Sequence, residues 1–572
     1  MKTLFHYLKP YKVQAVLSPL FKLLEALLEL FTPLVVAAII DKGIQNGDAD
    51  YIVRHAVLLC LLAVTGFAFS VTAQYFAAKV AIGASASLRH DVLSHIHALS
   101  FSEMDKLGSS TLLTRITGDV QLVQTGINMM LRLMLRSPFV VVGAVVMAAL
   151  LDARSAWIFL AVVISLSILV VLLTKISVPL FKRVQSQLDR IVQRTSENHE
   201  GARVIRAFRM EDREKESFQK ENQTLIRWQT VAGRVSTLMN PLTYWIVNMG
   251  VMLLIYKCAW RVHDGGIPQG DLVALYNYMT QILVELVKFA GLIVSFNKSL
   301  AGMSRINDLL AIPTEQTGVD PVAHDIDAPV LCFDDVDFRY AGSDENALDH
   351  ISFKVLPGES IGIIGGTGSG KSTLVHLLMG FYPPTGGSVL YHNQSVTDLV
   401  RRAFHHEVAL VPQQAKLFKG TIRDNLLWGN RDANDDALLR AVHLAQADDV
   451  VSDKGGLDAE VEQGGVNLSG GQRQRLTIAR ALVRSPKVLI LDDSASALDY
   501  TTEARLRRAL AELDNTTLVF VSQRAASLRN CDKILVLEDG RAVGYGSSEE
   551  LLQSCETYRE IYESQFPKEA VK

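Results

Sequence analysis

A glycine-rich segment in the second half of the chain has the composition of a phosphate-binding loop. It lies between the apolar run Ile361–Ile364 and the helical pattern Leu374–Met379, and it reads Gly365-Gly366-Thr367-Gly368-Ser369-Gly370-Lys371-Ser372-Thr373. Glycines let backbone N–H groups approach phosphate oxygens, and the helix that follows adds its dipole. In this arrangement Lys371 neutralises the β- and γ-phosphates and Ser372 ligates Mg²⁺. The segment therefore predicts a nucleotide site.

A second motif supplies a carboxylate for the same metal ion. Val488-Leu489-Ile490-Leu491-Asp492 is an apolar strand pattern that ends in an aspartate. Asp492 at this position can hold the Mg²⁺ that accompanies the nucleotide. Together, the glycine-rich segment and this strand predict a P-loop nucleotide hydrolase fold.

The elements around these motifs alternate between strand and helix. Short apolar runs separated by helical patterns predict a soluble α/β domain over residues 330–572. A polar segment, residues 313–329, precedes this domain and predicts a linker. The predicted strands are Leu331–Tyr340, Ile351–Val355, Ser360–Ile364, Val408–Val411, Val488–Leu491, Thr517–Val521 and Lys533–Leu537.

The first half of the chain has a different character. A chain of 572 residues is too long for one hydrophobic core, and its mean hydropathy of +0.20 indicates that part of it lies in lipid. Apolar stretches of about twenty residues can cross a bilayer. Residues 1–312 are therefore predicted to form an α-helical transmembrane domain with six spans. These spans are Val13–Ile40, Tyr51–Ala78, Thr125–Leu151, Ala156–Val178, Ser236–Trp260 and Leu272–Phe296.

Basic residues predict how these spans are oriented. The long polar segments 83–120 and 181–235 read as helical, and the second contains a cluster of basic side chains. The short connections carry only Lys42, Arg154 and Arg261. By the positive-inside rule, the long segments, both termini and the soluble domain are cytoplasmic. The clustered basic residues are Lys182, Arg183, Arg190, Arg194, Arg203, Arg206, Arg209 and Arg213.

A five-residue motif identifies a family that combines these features. Leu468-Ser469-Gly470-Gly471-Gln472 lies about twenty residues before Asp492 and resembles the signature of ATP-binding cassette (ABC) proteins. Tyr340 resembles the aromatic residue that stacks on adenine in this family. Gln413 resembles the glutamine that senses Mg²⁺ and contacts the membrane domain. Residues 496–499, Ser-Ala-Leu-Asp, resemble the loop that crosses the dimer interface.

The resemblance covers the whole chain, because six spans followed by one cassette are the half-transporter layout of ABC exporters. In that family Ser469 and the signature glycines bind the γ-phosphate of ATP held by a partner's P-loop. The resemblance implies ATP and Mg²⁺ as cofactors, a second half-transporter as partner, and the bacterial plasma membrane as location. Ser110–Asp119 and Glu197–Phe208 look like the coupling-helix regions of such exporters.

Two residues depart from the family pattern at the hydrolytic centre. The residue after Asp492 is usually a glutamate that polarises the attacking water, and here it is Asp493. A histidine usually follows the next strand and contacts the γ-phosphate, and here it is Gln523. The pattern resembles the degenerate subunit of heterodimeric bacterial multidrug exporters. A homodimer with a slow aspartate-based ATPase is the alternative. Before the signature, Gln463 replaces the usual glutamate, and Glu462 lies beside it.

Charged residues in the predicted spans are candidates for cargo binding or for local pairing. Lys22 with Glu25, and Glu285 with Lys288, can either neutralise each other or face a cavity for cargo. Glu29 has no partner nearby in the sequence, so it is the better candidate for a site that favours cationic amphipathic cargo. Arg132 and Arg136 are expected to extend towards lipid phosphate.

Other functions are less consistent with the sequence. The net charge of −3 does not indicate nucleic acid, and the five cysteines show neither metal-ligand spacing nor a disulfide framework. Importers of this family usually carry their membrane and cassette domains on separate chains, and regulatory ABC proteins lack the six spans. Within the exporters, lipid and peptide cargo remain alternatives to drugs.

Overall fold

The computed structural model describes residues 2–314, 328–399, 401–513 and 516–566. Its contacts divide the chain into two compact units. The first contains Met1–His97 and Ser109–Pro313, and the second contains Ala98–Gly108 and Thr314–Lys572. Most of the predicted linker, residues 313–329, lies outside the described residues.

The first unit, called here the membrane unit, is built from long helices. Within the described residues, six helices are long and apolar enough to cross a membrane, and each has 42 to 53 residues. Because about twenty residues cross the hydrocarbon, the helices continue well beyond their apolar stretches, as predicted. These spans, numbered 1 to 6, are Thr3–Ile44, Ala49–Ala98, Ser109–Leu151, Ala156–Glu200, Glu211–His263 and Gln269–Leu310.

Apolar side chains of the membrane unit pack inside it and also cover its outer surface. Spans 1, 3, 4, 5 and 6 share one buried cluster that includes Leu30, Phe159 and Met279. Large apolar side chains on the outside, such as Leu150 and Trp157, are 77% and 73% exposed. Such a surface is unfavourable in water but suits lipid, which agrees with a multi-pass membrane protein.

The described residues of the second unit, called here the cassette, form three sheets. The largest has the strand order β12-β11-β3-β10-β9-β6, the second has the order β2-β1-β4-β5, and β7 pairs with β8. The strands are β1 (Leu331–Phe338), β2 (Leu348–Val355), β3 (Ser360–Gly365), β4 (Gly386–Tyr391), β5 (Gln394–Ser395), β6 (Val408–Val411), β7 (Gly420–Thr421), β8 (Glu460–Val461), β9 (Val488–Asp492), β10 (Thr517–Val521), β11 (Lys533–Glu538) and β12 (Arg541–Gly546).

The predicted strands are confirmed, and the described part of the cassette contains five further strands. β5, β7 and β8 have only two residues each, too few to produce an alternating pattern. β4 and β12 contain glycines, which weaken a strand pattern. The cassette helices are Phe101–Leu107, Lys371–Leu378, Arg401–Glu407, Ile422–Leu427, Asp435–Leu444, Asp448–Lys454, Gly470–Leu482, Tyr500–Ala511, Ala525–Leu528, Ser548–Ser554 and Glu556–Gln565.

The central strands bring three loops to one edge of the large sheet. β3, β10 and β9 are adjacent and parallel, so their carboxyl ends lie side by side. The glycine-rich segment follows β3, Asp492 ends β9, and Gln523 follows β10. Open parallel sheets bind ligands at the carboxyl ends of their strands. The topology therefore assembles the predicted nucleotide site.

One predicted coupling segment is corrected by the structure. Ser110–Asp119 does not form a separate segment but lies inside span 3, in the membrane unit. The segment that belongs to the cassette is Ala98–Gly108 instead. Its Phe101 ring lies 4.3 Å from the Phe381 ring, and Asp105 accepts a hydrogen bond from Tyr382. The sequence analysis placed this segment too late in the chain, because polar residues continue from Ala98–Gly108 into the first turns of span 3.

Candidate nucleotide site

The backbone of the glycine-rich segment explains its composition. Gly368 and Gly370 have φ angles of +85° and +96°, which side chains with a β-carbon rarely adopt. At Gly370 a β-carbon would also lie 2.8 Å from the Ala347 carbonyl oxygen. Gly370 then caps the helix Lys371–Leu378. The segment thus turns sharply out of β3 and presents backbone N–H groups at the start of a helix, which suits an anionic ligand.

The Lys371 amine is bound by the segment's own oxygen atoms. It donates to the carbonyl oxygens of Gly365 and Gly366 at 2.9 and 2.5 Å, and to the Ser369 hydroxyl at 3.2 Å. Burial lowers the pKa of Lys371, while the charges of Asp493 and Asp492 act in the opposite direction. The Lys371 amine thus lies against the P-loop. When a nucleotide binds, the amine can replace its hydrogen bonds to the carbonyl oxygens with hydrogen bonds to phosphate oxygens.

Two adjacent carboxylates lie at the end of β9. Asp492 is 8% exposed, and burial followed by the charge of Asp493 raises its pKa to about 6. Burial also raises the pKa of Asp493, whose φ angle is +42°. The backbone N–H of Asp493 donates to the Val521 carbonyl oxygen at 2.9 Å. A divalent cation would favour the charged form of both carboxylates.

Eleven of the predicted site residues line one cavity of about 760 Å³, whereas Gly365, Gly366 and Ser369 are not part of its lining. Gln413 donates from its amide to Asp493 at 3.4 Å. The Tyr340 hydroxyl lies 3.2 Å from the Thr373 hydroxyl, and Tyr340 is 37% exposed where it lines the cavity. Lining residues that the sequence analysis predicted are Tyr340, Thr367, Gly368, Gly370, Lys371, Ser372, Thr373, Gln413, Asp492, Asp493 and Gln523.

The sequence analysis missed part of the lining. Glu345, Asn346, Asp539 and Gly540 also contribute to this cavity. Asp539-Gly540 forms the tight turn between β11 and β12, with both φ angles positive. An Asp-Gly pair after an apolar strand is a hairpin signal, so this turn could have been predicted. The other two residues follow β1 in a loop that no motif marks.

The signature motif forms the start of a helix elsewhere on the cassette. Ser469 caps the helix Gly470–Leu482: its hydroxyl accepts from the Gln472 N–H at 3.2 Å, and the Gln472 side chain accepts from the Ser469 N–H at 2.9 Å. Ser469 and Gly470 are exposed, while Leu468 is buried. Among the residues that line the 760 Å³ cavity, none belongs to 468–472.

The charged residues of the spans form pairs, some of them across helices. Lys22 contacts Glu25 at 2.5 Å and Lys288 contacts Glu285 at 3.1 Å, as one of the two alternatives predicted. The remaining pairs centre on Arg136, so the group Glu29, Arg136, Glu285 and Lys288 is called here the membrane cluster.

One prediction about the membrane cluster was wrong. Arg136 does not extend towards lipid, because it is 8% exposed and lies 2.6 Å from both Glu285 and Glu29. Glu29 therefore has a partner, although its side chain remains 40% exposed. Arg132 donates to Asn128 at 3.4 Å. The cross-helix pairs were missed because sequence spacing reveals only neighbours on one helix.

Comparison with known proteins gives the class to which this chain belongs. Residues 16–286 match the ABC transporter transmembrane region, and residues 348–496 match the ABC transporter family. The second match implies that the cassette binds ATP. With six spans and one cassette, the chain belongs to the ABC transporter family and has the layout of an exporter half-transporter.

Particular relatives support this assignment over the whole length. The chain is 34% identical over 571 residues to the uncharacterized ABC transporter ATP-binding protein YfiB of Bacillus subtilis, covering 100% of this chain and 99% of that protein. It is 27% identical to an ATP-dependent lipid A-core flippase of Desulfotalea psychrophila, covering 99% of each. A bacterial Atm1-family ABC exporter with ATP bound shares the fold, with a TM-score of 0.82 at 24% identity over 98% of this chain and 99% of that one.

Proposed function

We propose that this chain is one subunit of a dimeric ATP-driven exporter. The observation that carries the proposal is the division of the nucleotide-binding groups. The 760 Å³ cavity contains the P-loop, Asp492 and Gln523, but no residue of the signature motif 468–472. The exposed Ser469 then completes a site on a partner chain, and the partner's signature completes this one. Val466 and Tyr500, which are 69% and 76% exposed beside the signature and residues 496–499, suit such an interface.

The donor set of the cavity fits Mg²⁺ as well as ATP. The Ser372 hydroxyl, the Asp492 carboxylate and the Gln413 amide all offer oxygen atoms, which Mg²⁺ prefers. When bound, Mg²⁺ would neutralise phosphate charge and hold the β- and γ-phosphates in place. Within the protein, Lys371 binds phosphate oxygens, the P-loop N–H groups surround them, and Tyr340 stacks on the base.

The hydrolytic groups of this site favour binding over turnover. Asp493 is one methylene shorter than glutamate, and a misplacement of about 1 Å can cost on the order of a hundredfold in rate. Gln523 can donate a hydrogen bond but carries no positive charge to stabilise the γ-phosphate. The partner is therefore a second half-transporter with glutamate and histidine at these two positions. A homodimer remains the alternative.

Small cationic amphipathic compounds are the proposed cargo. Glu29 is the most accessible carboxylate of the membrane cluster, with a side chain 40% exposed, whereas Glu285 is 4% exposed. Both carboxylates share Arg136, so Glu29 can exchange this arginine for a cargo cation while Glu285 keeps it neutralised. Lipid is the second candidate, because one relative is a lipid A-core flippase.

Orientation and coupling complete the proposal. Basic residues in 181–235 favour a cytoplasmic position for this segment, for both termini and for the cassette. The short helix Ala202–Ala207 joins span 4 to span 5 and leaves Val204 and Phe208 60% and 75% exposed. An exposed apolar tip of this kind is suited to docking on a cassette, which agrees with its resemblance to a coupling helix.

The decisive experiment compares two substitutions in the complex with the partner. Ser469→Arg should nearly abolish ATPase activity, because the bulky arginine side chain prevents the signature motif from contacting the γ-phosphate at the partner's P-loop site. Asp493→Asn should cost far less, since the site on this chain's P-loop contributes little turnover. Purified alone, the chain should hydrolyse ATP slowly.

The order of the two effects is what matters. If Asp493→Asn is as damaging as Ser469→Arg, or if the chain alone reaches the activity of the complex, the homodimer replaces the degenerate subunit. Gln553→Ala, an exposed substitution on the helix Ser548–Ser554, serves as a control and should leave ATPase activity unchanged.

A further inference from the structure

The loop that carries Gln523 is short and connects two buried elements. It begins after β10, which ends at Val521, and it leads into the helix Ala525–Leu528. Ser522 donates its N–H to the Ile363 carbonyl oxygen at 3.1 Å, and the Ser522 hydroxyl accepts from the Arg524 N–H at 3.0 Å. The Gln523 side chain is exposed and lines the nucleotide cavity.

A side chain from the last described helix holds this loop on both sides of Arg524. The Gln565 amide nitrogen donates to the Gln523 carbonyl oxygen at 2.9 Å, and the Gln565 amide oxygen accepts from the Ala525 N–H at 2.8 Å. A carbonyl can only accept and a backbone N–H can only donate, so the partners fix the orientation of the amide. One side chain thus satisfies a backbone acceptor and a backbone donor two residues apart.

The helix that carries Gln565 is itself firmly packed. Glu556–Gln565 places Tyr558, which is fully buried, in a cluster with Ala525 and Leu528 from the helix that follows the loop. The Tyr558 hydroxyl lies 2.9 Å from the Ser548 hydroxyl. Since the same cluster also contains Ile364 of β3, the last described helix shares a core with the strand that leads into the P-loop.

A second anchor holds the far end of the loop. The buried Glu503 carboxylate accepts from the Ser527 hydroxyl at 2.6 Å and lies 3.6 Å from the Arg524 guanidinium. Glu503 belongs to the helix Tyr500–Ala511, which follows the predicted interface loop. Glu503 thus fixes Ser527 and the Arg524 side chain, whereas the contact to the Gln523 carbonyl oxygen comes from Gln565.

We propose that Gln565 is a positioning residue of the nucleotide site, which holds the Gln523 backbone so that the Gln523 side chain faces the γ-phosphate. This inference rests on the proposed role of Gln523 as the γ-phosphate contact. It adds a function for the last described helix, which no family match covers: the helix sets how well the site distinguishes ATP from ADP. Gln565 acts through Gln523 and does not itself line the cavity.

The test measures the preference of the site for ATP over ADP. Full-length protein in detergent is titrated with ATP and with ADP, each competing with a fluorescent nucleotide in the presence of Mg²⁺. Gln565→Met keeps the length and packing of the side chain but removes both hydrogen bonds. It should lower the ratio of the two affinities about threefold, since exposed hydrogen bonds contribute modestly. Gln523→Ala should lower the same ratio about tenfold, because it removes a hydrogen bond to a charged group.

The double variant separates positioning from general stability. If Gln565 acts through Gln523, Gln565→Met combined with Gln523→Ala should resemble Gln523→Ala alone. Gln553→Ala, an exposed glutamine on the preceding helix, should leave the ratio unchanged. A merely structural glutamine would lower the melting temperature and both affinities but not their ratio.

Two results would overturn the inference in different ways. An unchanged ratio in Gln565→Met, or additive effects in the double variant, would refute the positioning role while Gln523 keeps its function. An unchanged ratio in Gln523→Ala would refute the γ-phosphate contact itself, and the positioning role would fail with it.

Discussion

The membrane cluster and the nucleotide site both bury carboxylates near a basic side chain, but they neutralise these charges differently. In the membrane cluster, Arg136 lies 2.6 Å from Glu285 and from Glu29, so the protein closes the charge balance with its own residues. In the nucleotide site, Lys371 donates to backbone carbonyl oxygens, and Asp493 receives a hydrogen bond from the neutral Gln413 amide.

We infer that the charges of the membrane cluster stabilise the fold, whereas those of the nucleotide site are available to bind a ligand. Burial raises the pKa of Asp492 and of Asp493 because no cation fully compensates them. Perturbed groups of this kind in a cavity are typical of functional sites. Substitutions of the buried residues of the membrane cluster, Arg136 and Glu285, should therefore affect folding, whereas substitutions in the nucleotide site should affect binding.

The largest effect is expected from Arg136→Met. Removing the arginine leaves Glu285, whose side chain is 4% exposed, without its main partner. Breaking a buried pair in this way destabilises a protein by about 3 kcal/mol or more. The melting temperature of the purified protein in detergent, compared with wild type, measures the loss.

A second substitution tests whether unpaired charge is the cause. Adding Glu285→Gln to Arg136→Met removes the orphaned carboxylate and should recover a large part of the stability. Wild-type melting of the single variant would instead show that the cluster does not hold the fold, and the comparison between the two sites would lose its basis.

Lys371→Ala should show the opposite behaviour. Losing the charge-assisted contacts to phosphate should weaken ATP binding by about a hundredfold, while folding is retained. Labelling by a photoreactive ATP analogue reports the binding, and the melting temperature reports the fold. Lys419→Ala, which removes an exposed lysine outside the cavity, is the matched control. Equal labelling of Lys371→Ala and wild type would contradict the assignment.

Acid should weaken Mg²⁺-dependent nucleotide binding at the same site. The pKa of Asp492 is about 6, so its carboxylate is charged at pH 7 and becomes mostly protonated as the pH falls below that value. A protonated carboxyl is a poor Mg²⁺ ligand, so the affinity gained from Mg²⁺ should fall about tenfold between pH 7 and pH 5. Titrations with Mg²⁺ and with EDTA across this range measure the gain.

A control distinguishes Asp492 from the nucleotide's own titration. In Asp492→Asn the side chain cannot ionise, so the Mg²⁺-dependent gain should be small and nearly constant with pH. A gain that falls equally in wild type and in Asp492→Asn would assign the pH dependence to the phosphates.

The two sites also differ in how far the sequence predicts them. The glycine-rich segment and Asp492 were predicted because a strand, its loop and the next helix are consecutive in the chain, and each leaves a local pattern. Arg136 was misassigned because its partners Glu29 and Glu285 lie 107 and 149 residues away in the sequence, beyond the reach of helical spacing. Contacts of this kind depend on how helices pack, which local patterns do not encode.

The same limit applies inside the cassette. Gln565 lies 42 residues after Gln523, and nothing in its local sequence marks it as part of the nucleotide site. β10 and the helix Ala525–Leu528 bring the two together through a shared core. The residues that perform chemistry follow from motifs, and the residues that position them follow from tertiary packing.

The smallest effect is expected from Glu29→Gln. This substitution tests whether Glu29 is a structural charge or a ligand-binding one. Glu29 is paired, like the rest of the membrane cluster, but its side chain is 40% exposed. A pair this accessible contributes less than about 1 kcal/mol, so its loss should leave the melting temperature nearly unchanged. If Glu29 binds cargo cations, export of a cationic dye should fall about threefold, and export of a neutral dye should not change.

The expected loss of cationic dye export depends on the charge of Glu29 and not on its hydrogen bond to Arg136. Glu29→Asp distinguishes these two contributions. Aspartate keeps the charge at a slightly shorter reach, so it should restore much of the cationic dye export in cells with matched expression. Equal loss for both dyes would indicate a damaged transport cycle. Unchanged export of both dyes would show that Glu29 does not bind cargo. Glu29 would then be a structural charge like Glu285, whose role is to neutralise Arg136.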